Sequence, residues 1–344
     1  MRIGIFCPNW VGDSVMAIPF INSLRHLYPK AIILAICKSH VGPVFHNHPS
    51  LDGIIQFEKK DLSGIKTTSD SGRNLKANDF DLFYLLSDSY RAAYLAYKSG
   101  SPIRIGYRGQ GRTGMLTKAV KRPKSKIHRY LQYINLIDKE LGDYDCFDPG
   151  IVLSDDEKDW AKKELTKLDL IDPISFFPFS VASSRSIPIS KAITILNDIH
   201  EENVLIFGGI NDSPSAKVII KTLNKKNIVS VAGDYSLRQS IAIISQCKSS
   251  IATDSGLGHI SSNLGIPTVS LFGAGDSELT KPIGGNTFVL NQNVYCSPCL
   301  KNKCNNKKDP LLCLEKIQPG AILKSLDLSL IHISEPTRPR LISY

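Results

Sequence analysis

The chain has 344 residues, 42% of them hydrophobic and 22% charged, and carries a formal net charge of +10. That length supports two domains with cores of their own, and that balance excludes a disordered chain. No apolar run reaches the roughly 18–20 residues that span a bilayer, and RIGIFC at the start runs straight into a polar turn instead of a signal-peptide core; a cytoplasmic protein without a transmembrane segment is expected.

The first αβ series opens with an apolar run at 2–7 and the turn PNWVGD. A helical pattern over 13–28 follows, in which Val15, Ile18, Ile21, Leu24 and Leu27 recur at helical spacing, with Asp13 or Ser14 as its natural N-cap. Runs at 31–37, 54–57, 81–86 and 103–106 read as strands, 89–98 and 128–141 as helices, and the polar stretch 58–79 as a loop. DYDCFDPG at 143–150 reads as a linker. The second series starts with a charged helix over 155–168 and continues with strands at 174–177, 204–208, 228–232, 249–253 and 268–272, with helices between them. Such alternation implies parallel sheets with ligands at the carboxyl ends of strands. The expected divisions are 1–150 and 151–328. The closing run SLIHISEPTRPRLISY continues no amphipathic pattern and resembles translated sequencing-adapter DNA, so 329–344 is set aside as a non-native tail.

Charge is unevenly placed. From Ser89 to Ile137 there are eleven Lys or Arg residues and no Asp or Glu. A solvated basic loop, a nucleic-acid surface and a site for an acidic glycolipid at a membrane would each carry such a run. No recognition motif or aromatic-interleaved platform supports nucleic acid; charge alone does not choose between the other two.

The segment SSIATDSGLGHISSNLGIPTVSLFG at 249–273 narrows the chemistry most. A β-branched run ends at Asp254, Ser255 and Gly256 turn the chain, small residues start a helix, and Pro267 breaks it before a second apolar run. Free backbone N–H groups and the positive end of a helix dipole beside Ser255 and Gly256 would seat a diphosphate, with His259 adding a donor. An ordinary βαβ corner is the competing reading.

This segment closely resembles the C-terminal signature of the ADP-heptose:lipopolysaccharide heptosyltransferases, glycosyltransferase family 9, D-[ST]-G-x-x-H-[LI]-x-x-x-L-G-x-P-x-x-x-L-[FY]-G, with every fixed position filled from Asp254 to Gly273. MRIGIFCPNWVGDSVMAIPFINSLRHLYP, RIGYRGQGRTGML (104–116), VLIFGG (204–209) and SLRQ (236–239) extend the resemblance over nearly the whole chain to about residue 326. The WVGD form and the 104–112 segment look most like heptosyltransferase II. The resemblance implies an α/β fold of the GT-B type, two Rossmann-like αβα domains facing across a substrate cleft: an acceptor-binding domain over 1–150 and a nucleotide-sugar-binding domain over 151–328. It further implies inverting transfer of L-glycero-D-manno-heptose from ADP-heptose to a lipid A–inner-core acceptor, at the cytoplasmic face of the inner membrane.

Inversion needs a base on the acceptor hydroxyl and stabilisation of the departing diphosphate. From the residues alone Asp13 is either a helix N-cap or a base, beside Gly12 in a tight turn; the family's WVGD motif makes it the base, with Trp10 on the acceptor side. SSRSIP (183–188) is similar to the family's A-K-R-W-P with Arg185 at the Lys position, and Arg holds a diphosphate bidentately. The family's preceding Pro-Gly-Ala is here Pro178-Phe179-Ser180, and its Trp is Ile187. Donor-binding candidates are Asp254, Ser255, Gly256 and His259, with Gly208, Gly209, Tyr235 and Leu237 toward the nucleotide. Arg104, Arg108 and Arg112 are acceptor candidates.

Two D-x-D strings, Asp79–Asp81 and Asp143–Asp145, are of the kind that hold a divalent ion on a nucleotide sugar. The first opens a strand and the second lies in the linker, so catalysis is expected to need neither, nor any cofactor. Cys296-x-x-Cys299-x4-Cys304-x8-Cys313 fits either a structural zinc or iron–sulfur site or a loop of unligated thiols. Transfer of another nucleotide-activated sugar and a non-catalytic glycolipid binder are the alternatives. A nicotinamide enzyme is disfavoured, because CPNWVGDS lacks the G-x-G-x-x-G set.

Overall fold

The computed structural model describes residues 1–137, 139–142, 144–199 and 202–331, with side chains to 327. Asp143 and the set-aside tail from residue 332 onward lie outside the described residues. The chain divides into two compact units, Met1–Val152 and one beginning at Leu153.

The first unit holds strands β1 (Arg2–Phe6), β2 (Ile32–Lys38), β3 (Gly53–Phe57), β4 (Leu82–Leu85), β5 (Ile103–Tyr107) and β6 (Lys118–Val120), in the order β3-β2-β1-β4-β5-β6. The second holds β7 (Ile174–Phe177), β8 (Val204–Ile206), β9 (Ile228–Ser230), β10 (Ser249–Thr253), β11 (Thr268–Phe272) and β12 (Thr287–Asn291), in the order β12-β11-β10-β7-β8-β9. All ten pairings are parallel. Numbered within its own unit, each sheet runs third, second, first, fourth, fifth, sixth. β4, β7, β10 and β11 are buried along their whole length, as strands of a parallel sheet covered on both faces are. The order of each sheet reverses beside its first strand, between β1 and β4 and between β7 and β10, and the crevice beyond those carboxyl ends is where open α/β sheets take ligands.

Several elements differ from expectation. The helix expected over 13–28 is two, Val11–Val15 and Ile18–Leu27, broken at Met16 and Ala17. Trp10, not Asp13 or Ser14, occupies the N-cap, and Gly12 lies inside the first helix instead of in the turn before it. The helix expected over 128–141 is the shorter Arg129–Ile134.

The supposed loop 58–79 contains 3-10 turns Lys59–Leu62 and Leu75–Asn78 flanking an α-helix, Ile65–Asn74. That helix buries Thr68, Ser69, Ser71 and Gly72 rather than an apolar stripe. A Cβ at Gly72 would stand 2.6 Å from the Lys98 Cβ and 2.7 Å from the Leu95 carbonyl oxygen, so it packs on helix Tyr90–Lys98 by close backbone approach. The last helix, Pro319–Ile331, continues past residue 328.

Candidate functional site

In the first unit Asp13 stands in the first turn of helix Val11–Val15, just beyond β1 and so at the switch in strand order. Its Oδ1 accepts a 3.4 Å hydrogen bond from the Tyr133 hydroxyl and lies 3.5 Å from the Arg129 Nε. Burial and the neighbouring Asp13 carboxylate push the Tyr133 phenol well above its usual range, which keeps it a donor. Trp10 is 61% exposed beside this turn.

Asp88, beyond the end of β4, is the last carboxylate before the basic run, and two arginines converge on it: Arg112 Nη2 at 3.0 Å and Arg122 through its other oxygen. Arg122 also lies over the Tyr107 ring at 4.7 Å. Arg112, expected on the acceptor surface, is instead wholly buried. It donates to the Tyr107 carbonyl from Nε and Nη2 at 3.0 and 2.7 Å, to the Ser87 carbonyl, and to Asp88. A guanidinium so committed braces the 107–112 loop against the end of β4. Arg104 donates to the Met115 and Ser101 carbonyls, at 2.7 Å for the first, and only Arg108 remains exposed, through Nε bonded to the Ala119 carbonyl.

The second switch point gathers the donor candidates. Beyond β7 the loop through Arg185 closes on itself, with Ile187 N donating to the Pro178 carbonyl at 2.8 Å. Ser180 Oγ donates to the Asp254 carbonyl at 3.3 Å, Thr253 Oγ1 donates to the Arg185 carbonyl, and Arg185 Nη1 reaches the buried Asp254 Oδ2 at 3.2 Å. The loops after β7 and β10 are thus laced together.

Ser255 is the N-cap of helix Gly256–Asn263, yet its side chain makes no capping bond and its Oγ is buried without a hydrogen-bond partner. The first-turn N–H groups are therefore not capped by Ser255, and such groups are the kind that can hold an anion. His259 is buried beneath this helix start. Gly258 lets the helix approach β10 closely: a Cβ there would be 2.8 Å from the Ala252 Cβ.

A buried hydroxyl chain fixes the helix to the sheet. Ser175 and Ser250 meet at 2.5 Å, Ser250 and Ser261 at 2.6 Å, and Thr268 donates to Ser261 at 3.0 Å. Sequence reasoning placed these strands but missed the chain, because pairings between hydroxyls as far as 75 positions apart leave no local signal.

Gly208 and Gly209 follow β8, and Tyr235 and Leu237 follow β9, at the same carboxyl edge. Gly208 packs under Phe179, since a Cβ there would be 2.8 Å from the Phe179 Cδ2, and Gly209 N donates to Asp212 Oδ2 at 2.8 Å. Tyr235 donates to Glu164 Oε1 at 3.2 Å, and burial and that carboxylate push its phenol up to about 12. Leu237 opens helix Leu237–Ile244, capped by Ser236 and Gln239. The Arg238 of that motif, overlooked in the sequence, grips Glu157 bidentately at 2.5 and 2.7 Å.

Asp81 is at the amino end of β4, the edge away from the switch, where its Oδ2 accepts the Arg2 N–H at 2.7 Å. Asp79 takes a left-handed conformation at the end of the preceding 3-10 turn.

Of the four clustered cysteines, Cys313 has its thiol pushed up mainly by burial, with Cys296 and Cys299 near enough to add to the shift. Cys299 is exposed, Cys313 is buried, and Cys304 Sγ accepts the Leu311 N–H at 3.3 Å. Among the described residues no group of three or more His, Cys, Asp or Glu is arranged to hold a metal ion. The loop instead supports the site: Ser184 N donates to the Asn302 carbonyl at 3.2 Å, Ser184 Oγ to the Lys301 carbonyl at 2.5 Å, and Ser297 Oγ to the Gly273 carbonyl at 2.5 Å. Among the described residues no helix is long and apolar enough to cross a membrane.

Residues 69–309 match the family described as Glycosyltransferase family 9 (heptosyltransferase). The chain is 25% identical over 305 residues to the lipopolysaccharide heptosyltransferase 2 of Escherichia coli strain K12, covering 84% of this chain and 88% of that one. Its fold is that of the E. coli ADP-heptose lipopolysaccharide heptosyltransferase II structure, at a TM-score of 0.81 and 23% identity over 97% of this chain and 100% of that one. A family 9 glycosyl transferase from Veillonella parvula is similar at a TM-score of 0.84 and 22% identity, over 96% and 97% of the two chains.

Proposed function

The chain belongs to glycosyltransferase family 9, and from that premise we propose that it is an inverting heptosyltransferase, moving L-glycero-D-manno-heptose from ADP-heptose to the inner core of lipopolysaccharide as heptosyltransferase II does. The observation that carries the donor half is the second switch point, where Arg185 and an uncapped helix start stand together at the ends of β7 and β10.

The acceptor hydroxyl attacks the anomeric carbon and gives its proton to Asp13, while the bond to the diphosphate breaks and ADP departs. Charge grows on the leaving oxygens in the transition state, where Arg185 and the N–H groups at Ser255 and Gly256 stabilise it. No step of this scheme calls on a cofactor.

The acceptor is a lipid A–inner-core glycolipid at the cytoplasmic face of the inner membrane. Helix Tyr90–Lys98 supports this: Tyr90 and Tyr97 are 47% and 49% exposed, Lys98 lies over the Tyr94 and Tyr97 rings, and Arg104 over Tyr97. Amphipathic rings and cations on one face suit a headgroup layer bearing phosphates.

Incubating the protein with ADP-heptose and defined truncated core acceptors, then weighing the products, tests the proposal. One added heptosyl unit on an acceptor that already carries the first heptose is expected. Addition only to the heptose-free acceptor overturns the assignment to heptosyltransferase II, and no addition to either overturns the function.

A further inference from the structure

The helix Arg129–Ile134 is six residues long, and its two ends do one job. Arg129 and Tyr133 are four positions apart and so share a face. Both address the same oxygen of Asp13, Arg129 by Coulomb attraction at 3.5 Å and Tyr133 by its hydroxyl at 3.4 Å. The helix is tied to the sheet through other residues, since the Tyr107 hydroxyl of β5 donates to the Gln132 carbonyl at 2.5 Å and Arg122 Nη1 donates to Gln132 Oε1 at 3.0 Å. Tyr133 is buried and Arg129 is 32% exposed, so the ion pair is only partly screened.

We infer that Arg129 and Tyr133 are positioning residues for Asp13: they orient its carboxylate through Oδ1 and keep it ionised, which sets the lower pH limit of sugar transfer. This rests on the reading of Asp13 as the base.

Other charged and titratable groups surround the carboxylate. Asp88 reaches from the end of β4 to act on Tyr133, but its own charge is answered by Arg112 and Arg122. His40, after β2, meets the Asn9 carbonyl at 2.9 Å in the turn before Asp13. Arg129 is the cation placed against Oδ1 itself. A cation at that range favours the charged carboxylate, and removing it raises the pH at which the base becomes ionised.

The test is the pH dependence of kcat and kcat/KM in Asp13→Asn, Arg129→Gln, Arg129→Lys and Tyr133→Phe, measured with ADP-heptose and the heptose-bearing core acceptor. Arg129→Gln is expected to move the acidic limb up by about one pH unit, so that its loss of turnover is about tenfold greater below the limb than above it, with KM for ADP-heptose unchanged. Arg129→Lys is expected to restore the limb. Tyr133→Phe, which preserves the buried ring, is expected to lower kcat several-fold without changing donor KM.

An acidic limb that stays in place in Arg129→Gln, with kcat unchanged in Tyr133→Phe, overturns the positioning role while Asp13→Asn remains inactive. Full turnover in Asp13→Asn overturns the base itself. If Arg129→Gln does not fold, the kcat of Tyr133→Phe carries the decision.

Discussion

Arg185 and Asp254 meet at 3.2 Å between the carboxyl ends of neighbouring strands, with the guanidinium about a third exposed and the carboxylate buried. The pair gives the arginine one fixed end, and on the proposed mechanism the rest of its fork meets the diphosphate. Arg185→Ala is expected to lower kcat/KM for ADP-heptose by about 10²–10³-fold. It also leaves a buried carboxylate without its cation, so Tm falls by several degrees. Adding Asp254→Asn removes that penalty: Tm is expected to recover while turnover does not. Kinetics and thermal unfolding on the single and double variants separate the two roles, and parallel recovery of both would contradict them.

Gly275 makes the buried position of Asp254 feasible. A Cβ at residue 275 would stand 2.0 Å from the Asp254 Oδ2, so Gly275→Ala must displace the carboxylate and with it Arg185. A stability loss of about 1–3 kcal/mol is expected, the range for overpacking a filled interior. Isothermal titration with ADP should show binding weakened by at least about tenfold, the factor for each 1.4 kcal/mol lost. Unchanged ADP affinity would show that Asp254 does not hold the arginine in place.

Acid sensitivity is expected from Glu157. The bidentate hydrogen bond from Arg238 lowers its pKa to about 2, well below the usual carboxylate value. A depressed folded-state pKa contributes stability that is fully present above the unfolded value, near 4.3 in model peptides, and is lost as pH falls toward about 2. The contribution is about 3 kcal/mol at most. Glu157→Gln retains a group for the capping box with Ser154 and removes only the charge. Its Tm should lie below wild type at neutral pH and converge with it across that acidic window. A constant difference at every pH would refute the linkage.

Arg112 and Arg108 should separate stability from binding. Arg112→Met strips donors from the Ser87 and Tyr107 carbonyls and from Asp88, and a loss of about 3 kcal/mol is expected. Arg108→Ala, on the exposed loop, should leave stability within about 0.5 kcal/mol while raising KM for the phosphorylated acceptor. Thermal unfolding beside acceptor titrations decides between these roles, and a stable Arg112→Met with weakened acceptor binding would reverse them.

Alternating apolar runs and helical spacings sufficed to place the strands at the centre of both sheets, where burial on two faces leaves an unmistakable pattern. They failed at one edge of each sheet. β6 is three half-buried residues, and β12 is half-buried throughout, so neither carries the continuous apolar signal. Helix Ile65–Asn74 escaped because its packing face is made of small hydroxyl residues and a glycine, which are equally the composition of a loop. The Arg129–Tyr133 pair was visible only as a four-residue spacing. Its meaning depends on Asp13, more than a hundred positions earlier, and local pattern carries no such information. Arg112 shows the converse error, in which a run of positive charge was read as surface although one of its members is buried deepest.

The hydrogen bonds from Ser184 to the backbone of Lys301 and Asn302 have a consequence for loop grafting. The loop bearing Arg185 has no regular structure of its own and borrows its rigidity from a segment 117 residues downstream. Exchanging residues 178–187 with those of a relative would transplant an arginine but not its scaffold. The two stretches form one cassette, and a graft meant to keep the loop's shape has to carry both.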